Sequence, residues 1–351
     1  MQNAPAGAIN LALGELGFPM PEALKEKAIE LLREGNPVYT PNAGLAELRQ
    51  AIATDYSNNV NPNQIIVCNG AEEAVFITLM ALINPGDTIA IPDPDYPAYP
   101  AISGIFEASV KRLPFMDNFS EIDWEQWEDI LCSGVKAVLL SAPSNPSGFS
   151  FSAAEAVQFG EICNRNGIMV IVDEIYGRLF FKQAPISLNS YVENFIRIGG
   201  VSKSHCLSGW RLGWILAPLE IAPAMIKAKQ YVSTCSHWLS QNLAVFALSQ
   251  AGLQEAELIR LLLLDNHNYM LQRISKALPM GISAYHLPSA SPYVMLKVEG
   301  DDLDFAAKLA DKGVITVPGR AFGESAKGWI RMNYGVSQPL LSSALNILYN
   351  G

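Results

Sequence analysis

The chain has 351 residues, half of them hydrophobic, and a formal net charge of −10. That length and apolar fraction suit a large buried core in two domains or one large one, and the acidic balance argues against a nucleic-acid binder, which needs a basic face for phosphates. Five scattered cysteines without a C-x-x-C pair, and four histidines without metal-ligand spacing, argue against a disulfide framework or a zinc site and favour a reducing, cytoplasmic setting.

In chain order, the N-terminal stretch shows no basic segment followed by an apolar one, so no signal peptide is expected. No apolar run approaches the ~20 residues of a membrane helix. Short β-rich apolar runs follow at 65–67, 88–91, 137–140 and 169–172, each bounded by turn residues, and read as buried strands. Between them, 72–82, 123–131 and 152–164 read as helices, the last opening on a capping box of Ser152 and Glu155. This alternation predicts an α/β fold: a mostly parallel mixed sheet sandwiched by helices. Beyond about residue 215 the texture changes. A helical region over 221–277, broken near Cys235 and Gly252, leads to strands at 292–298, 314–317 and 329–333, a helix at 303–311 and a last helix from Ser337. These form a smaller α+β domain, which the N-terminal stretch is expected to join. The expected division is 34–250 for the large domain, with 1–33 and 251–351 for the small one.

Three segments carry chemistry. The strand Val170-Ile171-Val172 ends at Asp173 and Glu174, with Tyr176 shortly after; ligands sit beyond the carboxyl ends of strands in such sheets, although an acid there also caps helices. Ser202-Lys203-Ser204 lies eight residues before Arg211. A desolvated lysine is an amine nucleophile and an arginine fork grips phosphate, but a single lysine reads first as a solvated surface residue. Asn69-Gly70-Ala71-Glu72 opens a helix directly after a strand, which makes either an anion site or a plain tight turn.

Together with Leu13 to Gly17, Tyr39-Thr40-Pro41, Gly44-Leu45, Asn84-Pro85-Gly86-Asp87, Pro92 to Tyr96, Pro143 to Gly148, Pro318-Gly319 and Arg331, these segments stand in the order and spacing of one family. The chain resembles the fold-type-I pyridoxal-phosphate enzymes, the class I/II aminotransferases of the aspartate aminotransferase superfamily. The resemblance implies pyridoxal 5'-phosphate as cofactor, held as a Schiff base by Lys203, which also shuttles the substrate's Cα proton. It implies Asp173 on the pyridine nitrogen, Asn145 and Tyr176 on the phenolic oxygen and Tyr96 stacked on the ring. It gives the phosphate to Arg211, Gly70, Ala71 and Glu72, and to Tyr39 reaching from the second subunit of a homodimer with shared active sites. The hydroxyl that relatives carry three residues before the lysine is replaced by Gly200, which leaves Ser202 as the candidate hydroxyl. Arg331, Asn145 and the backbone near Gly17 would hold the substrate carboxylate.

The reaction implied is transfer of an amino group from an L-amino acid to a 2-oxo acid; a lyase, decarboxylase or cyclase on the same fold is the alternative. Arg320 is the only cation in its loop, where it either receives an acidic substrate side chain or faces solvent. Trp238 and Phe18 either line an apolar pocket or belong to the core.

Overall fold

The computed structural model describes residues 7–350 apart from Asn36, Asn58, Asp117 and Asn118. Thirteen strands run in chain order among these residues: β1 (Ile9–Asn10), β2 (Ile65–Cys68), β3 (Thr88–Asp93), β4 (Ser109–Pro114), β5 (Ala137–Ser141), β6 (Met169–Asp173), β7 (Phe195–Gly200), β8 (Gly213–Leu216), β9 (Ile282–His286), β10 (Tyr293–Val298), β11 (Val314–Ile315), β12 (Val317–Pro318) and β13 (Trp329–Asn333). The main helices are α1 (Glu22–Glu34), α2 (Ala46–Tyr56), α3 (Ala71–Leu82), α4 (Ala98–Ile105), α5 (Trp124–Leu131), α6 (Ala153–Arg165), α7 (Ala222–Val232), α8 (Trp238–Ala247), α9 (Gln250–Lys276), α10 (Asp302–Asp311) and α11 (Gln338–Asn350).

The expected mixed sheet is present. Seven strands lie in the order β2-β8-β7-β6-β5-β3-β4, all parallel except β8, which runs antiparallel to both its neighbours. Every residue of β5 is buried, because helices cover both faces. Leu139 packs with α3 and α7 residues such as Val75 and Met225, while its neighbours Val138 and Leu140 pack with Trp127 of α5 and Phe159 of α6. One strand thus feeds two cores through the period-2 alternation of its side chains. The parallel strands end on one edge, which carries Asp93, Ser141, Asp173 and Gly200.

A second, antiparallel sheet, β12-β13-β10-β9, packs with α9, α10 and α11 around Leu263, Leu296, Ile330 and Leu345. β1 pairs with β11 (Ile9 with Val314), and Leu11 and Leu16 enter this second core. The helix α1, expected alongside them, packs instead on α8: its Leu24 and Ala28 share an apolar cluster with Ile65 and Trp214 of the large sheet. Residues 1–6 of the expected small domain lie outside the described residues.

The helical region after 221 breaks near Cys235, as expected. The second break, expected near Gly252, falls between Ala247 and Gln250. Ser249 caps α9 by accepting a hydrogen bond from the Gly252 N–H, and a Cβ on Gly252 would stand 2.3 Å from the Ala247 carbonyl. The glycine permits the close approach of α8 and sits inside the first turn of α9.

Candidate active site

The carboxyl edge of the sheet opens into a cavity of about 460 Å³, within the usual size range of small-ligand sites. It is lined by Ala71, Glu72, Tyr96, Asn145, Asp173, Tyr176, Ser202, Lys203, Arg211 and Arg331. Residues chosen from six separate segments of sequence therefore converge on one space.

Asp173 closes β6 and is buried. Its Oδ1 accepts the Ile175 N–H (3.0 Å) and its Oδ2 accepts the Tyr99 hydroxyl (3.1 Å). Burial lifts its carboxyl to about 6, against the pull of those two hydrogen bonds and of Lys203. Burial likewise pushes Lys203 below the usual lysine range; Asp173 and Glu15 oppose that shift, while Arg211 and Arg331 reinforce it. Burial thus lowers the proton affinity of Lys203, and the Asp173 carboxylate restores part of it.

The N-terminus of α3 forms the anion end. Gly70 holds φ at +99°, a conformation open to glycine, and a Cβ there would stand 2.6 Å from the Arg211 guanidinium. Arg211 itself sits in the left-handed region (φ 51°, ψ 62°) and steadies its guanidinium on the Ser208 carbonyl (3.1 Å). The N–H groups of Ala71 and Glu72 belong to the first turn, which has no intrahelical acceptor for them.

Opposite lies Arg331, in the middle of β13 and 4 % exposed. One Nη donates to Asn145 Oδ1 (2.6 Å) and the other to the Ala12 carbonyl. The guanidinium lies between the rings of Tyr293 (4.2 Å) and Phe322 (4.8 Å). Its Nε is buried and has no hydrogen-bond partner. A buried donor left in this state calls for an acceptor, and a carboxylate is the acceptor that a fixed guanidinium fork matches.

Tyr176 exchanges a hydrogen bond with Tyr293 (2.5 Å). Tyr96 meets Tyr99 edge to face, with centroids 5.4 Å apart. Ser202 directs its hydroxyl toward the Leu212 carbonyl (3.5 Å).

Three of the expected residues do not line the cavity. Gly70 acts from behind, through Arg211. Tyr39 is 88 % exposed. Gly17 is tied away, its N–H on the Gly335 carbonyl (2.7 Å) and its Cα against Val336. The backbone that faces the cavity is the segment Ala12 to Glu15, pinned where Asn333 donates to the carbonyls of Leu13 (2.8 Å) and Glu15 (2.6 Å).

Arg320 neither lines the cavity nor stands free in solvent. It bridges Asp301 and Asp302, and its backbone N–H also donates to Asp302 (3.0 Å). The Asp302 side chain is fully buried, so this guanidinium is committed within the fold. Trp238 and Phe18 are likewise absent from the cavity wall.

Sequence reasoning missed Tyr99, Tyr293 and Phe322. The spacing Tyr96-x-x-Tyr99 across a helix start was a usable signal, since residues three apart lie on one face. Tyr293 and Phe322 gave none, because their roles come from packing onto Arg331.

Fold and site define an α/β enzyme whose chemistry lies at the carboxyl edge of a parallel sheet, closed over by a smaller antiparallel unit. The chain belongs to the aminotransferase class I and II family, whose model matches residues 6–348, and it is an aminotransferase. It is 30% identical over 98% of its length to a probable aspartate aminotransferase of Methanocaldococcus jannaschii, of which it covers 93%. It is also 30% identical over 97% of its length to a probable N-acetyl-LL-diaminopimelate aminotransferase of Bacillus subtilis, of which it covers 88%. Among solved structures, the aspartate aminotransferase of Thermotoga maritima superposes with a TM-score of 0.90 at 29% identity, over 98% of this chain and 91% of that one.

Proposed function

We propose that this aminotransferase binds pyridoxal 5'-phosphate in the cavity above and moves an amino group from an L-amino acid to a 2-oxo acid. The observation that carries the reading is the meeting of Lys203, Asp173, Arg211 and Arg331 around one space, with the Arg331 Nε buried and unsatisfied. The residues fit the cofactor: Arg211 and the first turn of α3 suit its phosphate, Asp173 its ring nitrogen, Tyr96 its face, and Asn145 and Tyr176 its phenolic oxygen.

When bound, the cofactor supplies an aldehyde for the amine and a ring that accepts electrons from Cα. Lys203 would hold it through Nζ and would take the substrate's Cα proton, a task suited to its lowered proton affinity. Asp173 would face the ring nitrogen and favour its protonated form. Arg331 fixes the substrate carboxylate, with Asn145 and the Ala12 carbonyl fixing the arginine in turn. That grip would fix the orientation of the substrate's Cα within the cavity.

The reading extends to assembly. Tyr39, with Val38 exposed beside it, is offered to a second copy, so the working unit is a homodimer with shared active sites. The five unpaired cysteines accord with the cytoplasm. The domain division is placed near residue 250 at the C-terminal side and, because α1 packs on the large domain, before Glu22 rather than at 34 at the N-terminal side.

The test is spectroscopic. Purified protein should show the cofactor's visible band, lose it on addition of an amino acid alone, and regain it with a 2-oxo acid. Release of pyruvate and ammonia without that cycle would favour the lyase. Sedimentation should give a dimer, and Tyr39→Phe should weaken cofactor retention.

A further inference from the structure

β3 and β5 pair only at Ile89 with Ala137 and Ala90 with Val138. Beyond that register the two strand ends carry separate parts of the site: Tyr96 follows β3, and Asn145 follows β5. Something must hold those ends together where the backbone ladder no longer does.

We propose that the carboxylate of Asp95 is a positioning residue that couples Tyr96 and Asn145, and through them sets Arg331 for the substrate carboxylate. Asp95 is 1 % exposed. Its Oδ1 accepts from the Ser141 hydroxyl (2.5 Å) and from the Tyr96 N–H (2.7 Å); its Oδ2 accepts from the Ser141 N–H (3.1 Å). The Ser141 hydroxyl, having given its proton to Asp95, accepts the Asn145 N–H (3.1 Å). Asn145 then holds Arg331. A second path runs through the backbone: the Asp95 N–H donates to the Phe322 carbonyl (3.1 Å), and the Phe322 ring covers the same guanidinium. Both paths from Asp95 end on Arg331.

The chemistry requires an acceptor on both oxygens. Three donors point at Asp95 and no acceptor does, so the position asks for a carboxylate. Burial lifts the group to about 7 in spite of these hydrogen bonds, which shows what enclosing it costs. An asparagine would keep the shape but turn an N–H₂ toward one of the three donors. The effect reaches substrate through Asn145 and Arg331, which sit at the carboxylate end, and leaves Lys203 and Asp173 in place.

The inference rests on the proposed function, and the test separates the two. Wild type, Asp95→Asn, Ser141→Ala and the double variant are loaded with cofactor and titrated with a panel of α-methyl amino acids. These bind but have no Cα proton to lose, so an absorbance titration gives Kd without turnover. KM and kcat are then measured with ordinary amino acids. Asp95→Asn should raise Kd and KM about tenfold, with kcat held within about threefold, as expected for lost grip on the ground-state carboxylate. Ser141→Ala should do the same, and the double variant should be no worse than either single one, because both break one chain of contacts. Wild type that binds no member of the panel would overturn the proposed function. Wild type that binds, with both single variants within twofold of it, would overturn the role of Asp95. Should Asp95→Asn fail to fold, Ser141→Ala alone decides: an unchanged KM refutes the coupling.

Discussion

Replacing Asp173 by Asn should stabilise the cofactor-free chain while destroying its activity. The native state keeps this carboxyl near 6, against 3.8 in its ordinary setting, because it is buried. Since the folded value lies above the unfolded one, the folded chain binds the proton more readily, and stability falls as pH rises between the two values. The full penalty, about 3 kcal/mol, stands above about pH 6 and disappears below about pH 4. An asparagine keeps an oxygen for the Ile175 N–H and can donate to the Tyr99 hydroxyl, so it inherits both contacts without the charge. The attraction of Lys203 for the carboxylate is already contained in that value, so the expected gain stays at about 3 kcal/mol. Thermal unfolding of stripped protein, wild type against Asp173→Asn, should show the variant a few degrees higher at pH 8 and level with wild type at pH 4. Adding pyridoxal phosphate should reverse the order at pH 8, because the ring nitrogen gives the carboxylate its missing partner. A variant less stable at pH 8, or a difference that ignores pH, would refute the account.

Lys203→Ala should bind cofactor weakly and show no amino transfer in either half-reaction by stopped-flow absorbance; near-normal turnover would remove the lysine from the centre of the mechanism. Arg331→Lys replaces a planar fork by a point charge and should lower kcat/KM about 100-fold, chiefly through KM, in steady-state assays. Gly70→Ala places a methyl group 2.6 Å from Arg211 at a positive φ, so cofactor affinity should fall about tenfold by equilibrium dialysis. Arg320→Ala should lower the melting temperature by stranding the Asp302 carboxylate, yet leave the ratio of glutamate to alanine turnover unchanged. A selective loss with glutamate would restore it as a substrate-reading residue.

Much of the fold was legible because its interior strands are uninterrupted apolar runs between turns: 137–140 and 169–172 needed only their neighbours' spacing. The strands that went unread break that pattern for physical reasons. β7 carries Arg197 at its centre, buried against Glu174 at 2.9 Å, so its sequence looks polar where the structure is enclosed. β4 is an edge strand with Lys111 and Arg112 in its middle, the charged composition that edges use against self-association. At the site, Lys203, Asp173, Asn145, Arg211 and Arg331 were legible from order and spacing, and the structure gathers them. Gly17 was misplaced because a loop's hydrogen bonding cannot be counted from its letters: the glycine at the cavity, Gly14, stands three positions before the one bonded to Gly335. Tyr293 and Phe322 were invisible because packing onto a distant arginine leaves no local trace.

The pairing of Ile9 with Val314 has a temporal meaning. In synthesis β1 precedes its partner β11 by the whole of the large sheet, whose strands arrive between them. The sheet can therefore collapse on contacts available earlier, but the Ala12 to Glu15 segment finds Asn333 and Arg331 only after β13 has been made. Cofactor added during translation would meet a lysine and an aspartate before it met a place for substrate. The segment that faces Arg331 is thus completed only after β13, long after the sheet that carries Lys203 and Asp173.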